Sequence, residues 1–263
     1  MSNGAPRILI YDIETAPDLG YTWRKWDTNI LGFVEGWYIL CFAWKWLGEN
    51  KTHVCGLPDF ADTYAEDPQN DVDVVAKLWE LFDEADITVT HNGKVFDKGK
   101  VHARMIYHNM QPPTPHKEID TLQVARKEFT FTSNSLKDLA EYLQLTEAKM
   151  DPGGFQTWLG CMAGDRKAWA TMMKYNKQDV VVTEQLYLRF RPWINRHPNL
   201  ALYGTKPDAC PKCGATGSEN MIGRGWQHNA VTKRQKFQCT SCGGYSLGRA
   251  LEKTNVRYVP STS

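Results

Sequence analysis

ILIYDIET, residues 8–15, is the stretch from which the rest of the chain is read. Three aliphatic residues and a tyrosine run directly into Asp12, and Glu14 follows two positions on. An apolar run of that kind reads as a buried strand. On a strand, residues i and i+2 share a face, so Asp12 and Glu14 project together from the end of a core strand. Two carboxylates that close repel and raise each other's pKa. A divalent cation between them makes the arrangement favourable, because hard cations take oxygen ligands. Asp12 and Glu14 are therefore read as the start of a metal site that later acids complete. The alternative is a strand end with two solvated acids.

The chain has 263 residues, room for one sizeable core and a small appended module. Hydrophobic content of 42% and charged content of 23% are those of a globular protein. The opening residues, MSNGAPR, lack the apolar region of a secretory signal. The most apolar run, 37–47, is interrupted by Lys45 and is too short to span a bilayer. The expectation is a soluble, cytoplasmic protein with no membrane partner. Cys41, Cys55 and Cys161 are scattered and need no disulfide. Charge is unevenly spread. Residues 206–263 hold nine Lys/Arg and three Asp/Glu, a net of +6 against +1 for the whole, which leaves −5 on the rest. A basic tail on an acidic body suggests an appendage that binds a polyanion.

After the first strand, residues 16–36 carry turn residues and aromatics and read as an irregular excursion. Residues 37–47 (WYILCFAWKWL) and 51–57 read as two further strands, which with the first begin an antiparallel meander. The five tryptophans from Trp23 to Trp46 are read as packing, with base stacking as the other use. Residues 57–71 read as a polar loop. Residues 72–84 (VDVVAKLWELFDE) have helical apolar spacing. ITVT, 87–90, is a fourth strand, ending in H-N-G, with Asp97 opening a helix to about Tyr107. An acid there sits outside the carboxyl end of a strand, where ligands gather in α/β sheets; a first-turn helix acid is the alternative. Asp120 lies in EIDTLQV, a short strand or helix start, and is assigned structure before catalysis. Ser135 begins a capping box and a helix. MDPGG, 150–154, and the segment to Asp165 are expected to form a flap over the site. From Asp165 to about Arg191 runs a long helix on which Tyr175 and Asp179, four apart, share a face.

Taken in order, D-I-E on the first strand, N-G-K-V-F-D after the fourth and Y-N-K-Q-D on the late helix resemble the three motifs of the DEDD superfamily of 3′–5′ exonucleases. The Tyr-x-x-x-Asp spacing is that of the tyrosine branch. The histidine branch would need histidine where this chain has Lys174. The resemblance runs from about Arg7 to Arg191. It implies an α/β, ribonuclease-H-like fold, with a central mixed sheet and helices on both sides. It also implies hydrolysis by two metal ions, Mg²⁺ or Mn²⁺ for an all-oxygen site. By the same resemblance Asp12, Glu14 and Asp179 hold one metal, Asp12 bridges to the second with Asp97 near it or acting through water, and Tyr175 orients the attacking water. Thr15 is a donor to the terminal nucleotide and Asn92 lies near the substrate strand. Phe96 is a base contact or, in the preferred reading, a core residue.

The C-terminal stretch has its own signature. Cys210-x-x-Cys213 and Cys239-x-x-Cys242 are separated by 25 residues, each pair followed by glycine. Four thiolates suit one structural tetrahedral Zn²⁺, so 206–263 is expected to be a zinc ribbon; His228 lies between the pairs but is not needed as a ligand. Arg224, Lys233, Arg234, Lys236 and Arg249, interleaved with Trp226 and Phe237, suggest contact with nucleic acid by phosphate and stacking. Docking of a replication or repair protein is the rival use. The expected organisation is an exonuclease domain, 1–198, and a nucleic-acid-binding module, 206–263. The expected substrate is single-stranded DNA or a frayed DNA 3′ end. The rivals are RNA, a structure-specific nuclease on the same fold, and a non-catalytic binding protein.

Overall fold

The computed structural model describes residues 4–24, 26, 29–145, 153–204, 206–229 and 232–249. The described residues form two compact units: those within Arg7–Tyr187, and those from Leu188 onward together with 4–6.

The first unit is built on a five-stranded sheet in the order β5-β4-β1-β6-β7. β1 (Ile8–Thr15) lies at its centre, antiparallel to β4 (Ile39–Trp46) and parallel to β6 (Ile87–Thr90). β5 (His53–Gly56) continues the antiparallel side and β7 (Lys117–Asp120) the parallel side. The expected meander of three strands is present. The first four residues of β1 are buried on both faces, as befits a central strand covered on each side. On one face Tyr11 meets Phe82 of α2 (Val72–Glu84), ring centroids 4.9 Å apart. On the other, the alternate residue Asp12 meets Asn176 of α7 (Arg166–Phe190).

Several local readings are corrected. Residues 57–71 are not simply a loop. A turn of 3₁₀ helix at Leu57–Asp59 leads into α1 (Ala61–Glu66). The excursion after β1 contains a hairpin, β2 (Leu19–Tyr21) and β3 (Gly32–Glu35). Trp37, Trp44 and Trp46 pack against the core, but Trp23 and Trp26 are each 84% exposed, so packing does not account for all five tryptophans. Of the expected flap, 150–152 lie outside the described residues, and the remainder holds α6 (Gln156–Met162), whose Cys161 is buried. The other helices are α3 (Asp97–Tyr107), α4 (Thr121–Glu128) and α5 (Leu136–Tyr142). Ser135 caps α5, accepting from Asp138 N at 3.1 Å, as the capping box requires.

The second unit contains a three-stranded sheet, β10-β9-β8, formed by β8 (Met221–His228), β9 (Lys233–Cys239) and β10 (Tyr245–Leu247). Its core includes Cys210 and Cys239, both fully buried. No helix among the described residues is long and apolar enough to cross a membrane.

Candidate active site

β1 delivers Asp12 and Glu14 to one face at its C-terminal end. The late helix α7 crosses that end and adds Asp179. One carboxylate oxygen from each of Asp12, Glu14 and Asp179 lies within 4.8 Å of the others. Three carboxylates held that close repel one another strongly unless a cation sits among them. The donor set is all oxygen, so the cluster fits a hard divalent ion. Tyr175 sits one turn before Asp179, is mostly buried and hydrogen-bonds that carboxylate. Burial, then the charges of Asp179 and Glu14, push its phenol well above the ordinary value. The hydroxyl stays protonated and is a donor, not a base.

A cleft of ≈ 580 Å³ takes in Asp12, Glu14, Asn92, Phe96, Asp97, Tyr175 and Asp179 together. Asp97 stands apart from the other three acids. It lines the cleft but is not part of the three-carboxylate cluster. Its Oδ1 accepts from the backbone N of Ile13 at 3.1 Å, so it pins the β1 backbone between Asp12 and Glu14. Burial lifts its carboxyl to about 7, against the pull of the Ile13 N–H. Phe96 is also corrected. It is 40% exposed at the cleft and not a core residue, and Lys100 Nζ lies 5.1 Å from its ring centroid and 3.8 Å from that of Trp37. Asn92 adopts a left-handed backbone (φ 72°) in the turn after β6. That turn is tied down by Asp120, which accepts from Asn92 N at 2.9 Å and Lys94 N at 3.2 Å while capping α4 through Leu122 N. Asp120 is thus structural, as read. Thr15 ends β1 beyond a register shift against β4 and is half-buried.

Asn176 joins the site without having been singled out by the sequence. Its side-chain amide donates to Asp12 Oδ2 at 2.7 Å and to the Asp12 carbonyl at 3.2 Å, and the residue is fully buried. It stands inside the Y-N-K-Q-D motif, but only the packing of α7 on β1 gives it a task. Arg126, His91 and Asn134 also line the cleft, and none of them was singled out by the sequence.

In the second unit the four cysteines converge. Sγ of Cys210 and Cys242 are 3.9 Å apart, and those of Cys213 and Cys239 are 3.7 Å apart. A zinc tetrahedron with bonds of about 2.3 Å has sulfur–sulfur edges of about 3.8 Å, so the cluster fits a zinc ribbon. The glycines that follow each pair, Gly214 and Gly243, both take positive φ (74° and 77°), which turns each knuckle around the sulfurs. Arg224 lines a cleft in this unit, Lys233 Nζ lies 4.7 Å from the Trp226 ring, and Arg234 stands opposite Gln227 in the ladder.

A mixed sheet in this strand order, with clustered acids at the end of its central strand, defines an α/β domain of the nuclease type that could bind divalent metal. A model of the RNase H superfamily matches residues 36–191, more than half of the chain. The chain belongs to the RNase H superfamily. The match begins after β1, so it does not include Asp12 and Glu14. Among solved structures, the family B DNA polymerase of the hyperthermophilic archaeon Pyrobaculum calidifontis is similar, with a TM-score of 0.53 and 18% identity. The similarity covers 71% of this chain and 25% of the polymerase, and it is a likeness of fold. A search of curated proteins returns no match. Superfamily and fold together support a nuclease, a hydrolase acting on nucleic acid.

Proposed function

We propose that the chain is a 3′–5′ exonuclease that removes nucleotides, as 5′-monophosphates, from the 3′ end of single-stranded or frayed DNA. The observation that carries this reading is the convergence of Asp12, Glu14 and Asp179 with the Tyr175 hydroxyl on Asp179. Asp12, Glu14 and Asp179 would hold Mg²⁺ or Mn²⁺, and the four cysteines would hold a structural Zn²⁺. Bound there, a pair of divalent ions supplies an activated water and stabilises the departing 3′ oxygen of an in-line displacement. The chain's own groups set the geometry. Tyr175 donates to Asp179, and its oxygen accepts from the attacking water to orient it. Asp97 keeps the β1 backbone fixed so that Asp12 and Glu14 keep their spacing. Phe96 and Asn92 meet the terminal nucleotides, Arg126 meets a phosphate, and Thr15 is a donor at the strand end.

The test is digestion of end-labelled single- and double-stranded DNA and RNA with Mg²⁺ and with chelator. A stepwise ladder from the 3′ end is expected, abolished by Asp12→Ala or Asp179→Asn in proteins that remain folded. Internal products from a labelled circle would replace the exonuclease reading with an endonuclease. Preference for RNA would change the substrate and keep the chemistry.

A further inference from the structure

A cleft of ≈ 990 Å³ lies wholly within the unit that holds the four cysteines. Its cations come from three places: Arg224 on β8, Lys236 on β9 and Lys212 in the first cysteine knuckle. Its lining includes no carboxylate among the described residues.

Strand register explains the grouping. Lys236 and Gln238 share one face of β9, and across the antiparallel ladder they stand opposite Leu247 and Tyr245. Arg224 sits in the irregularity between Gly223 and Trp226, and such bulges re-aim the side chain they carry. Its Nε donates to Gln238 Oε1 at 3.0 Å, which fastens the guanidinium to that same face. Lys212 is buried and its Nζ donates to the Pro192 carbonyl, so its charge is held in place. Ser246 Oγ, in the same lining, is buried with no hydrogen-bond partner among the described residues. Tyr245 is 53% exposed. Lys233 and Trp226 belong to the opposite face, because Trp226 stands against Gln235.

Fixed cations without acids call for an anion, and an exposed ring beside them calls for a flat partner. We propose that this cleft seats the sugar-phosphate backbone of a single nucleic-acid strand, with phosphates on Arg224 and Lys236 and a base stacked on Tyr245. The proposal takes its ligand class from the nuclease reading but uses none of that reading's catalytic residues. Phosphate contacts hold and stacking tolerates any base, so binding here would be without sequence preference. A protein partner is the rival occupant, and the variants below separate the two.

The test is fluorescence anisotropy with labelled oligo-dT and oligo-rU, on the full zinc-loaded chain carrying Asp179→Asn to prevent cleavage. Arg224→Gln with Lys236→Gln is expected to reduce the slope of log K against log salt by about 1.4, about 0.7 for each phosphate no longer neutralised. The charge-conserving pair Arg224→Lys with Lys236→Arg should keep the slope. Tyr245→Ala should weaken binding roughly 5- to 150-fold at an unchanged slope, the range for one stacked base. Tyr245 is exposed, so this variant decides the matter even if the double variant fails to fold. A drop with either probe supports the cleft, and the probe that loses more identifies the sugar. Unchanged affinity and slope in all variants overturn it and leave protein docking as the use of this face. Cleavage of a dinucleotide by the chain with Asp179 restored, with and without Arg224→Gln and Lys236→Gln, tests the nuclease reading separately. If neither cleaves, that reading fails while the binding result stands.

Discussion

Asn176 donates one side-chain amide to the Asp12 carboxylate at 2.7 Å and to the Asp12 carbonyl at 3.2 Å. A helix residue thereby fixes both the side chain and the backbone of the central acid on β1. The Asn176 Oδ1 faces Cys41 Sγ at 3.9 Å, so the amide is held on both sides.

Asn176→Ala should free Asp12 to turn away from Glu14 and Asp179. Groups that orient a metal ligand are typically worth about 10–100-fold in metal affinity or activity. We expect the Mg²⁺ or Mn²⁺ midpoint for cleavage to rise by about tenfold or more. A metal titration checks it, and an unchanged midpoint would reduce Asn176 to a packing residue. Stability should fall by about 1–3 kcal/mol, because buried hydrogen bonds are removed.

Tyr175→Phe removes the hydroxyl and leaves the ring that packs against Trp158, with centroids 6.3 Å apart. Turnover should fall by roughly 10–100-fold with little change in KM, because the hydroxyl orients the water and does not hold the substrate. Initial rates over a range of oligonucleotide concentrations separate the two. A rise in KM at constant turnover would make Tyr175 a binding residue.

Asp97 gives a pH signature in the metal-free protein. Its carboxyl is lifted to about 7 from the ordinary 3.8 by burial. The folded state therefore binds this proton more tightly than the unfolded state does. Stability from it is complete below about pH 4 and is lost as pH rises through about 7. Asp97→Asn keeps an acceptor for the Ile13 N–H and removes the titration. It should stabilise the metal-free protein at pH 8 by about 1–3 kcal/mol and make no difference near pH 4. Denaturant melts of both proteins at the two pH values check this. An equal gap at both would show that Asp97 is not proton-linked.

Cys239→Ser should empty the cysteine site of metal and unfold the strands around it, since zinc binding and folding are one process in such modules. The Arg7–Tyr187 unit has its own core and should stay folded. Metal analysis with limited proteolysis reads both. Retention of one zinc per chain would exclude Cys239 as a ligand.

What the sequence could disclose was whatever is local. β1 was legible because an apolar run ending in D-x-E obeys the two-residue period of a strand. α2 was legible from its 3.6-residue apolar period, and α5 from the Ser135 cap. The cysteine pairs declared their chemistry by spacing alone. α1 and α6 were missed because they are short, at six and seven residues, and α1 buries no side chain and so shows no apolar stripe.

Within the site, Asp12, Glu14, Tyr175 and Asp179 could be named from their motifs, but their meeting depends on α7 crossing the end of β1. Only the tertiary structure gave Asp97 its hold on the β1 backbone and turned Phe96 out to the cleft. It alone gave Asn176 its partner and gathered Arg224, Lys236 and Tyr245 on one face of the ribbon. The physical reason is the same each time. Periodicity and ligand spacing are written between neighbours along the chain, whereas a buried hydrogen bond or a shared strand face is decided by register and packing between segments far apart in it.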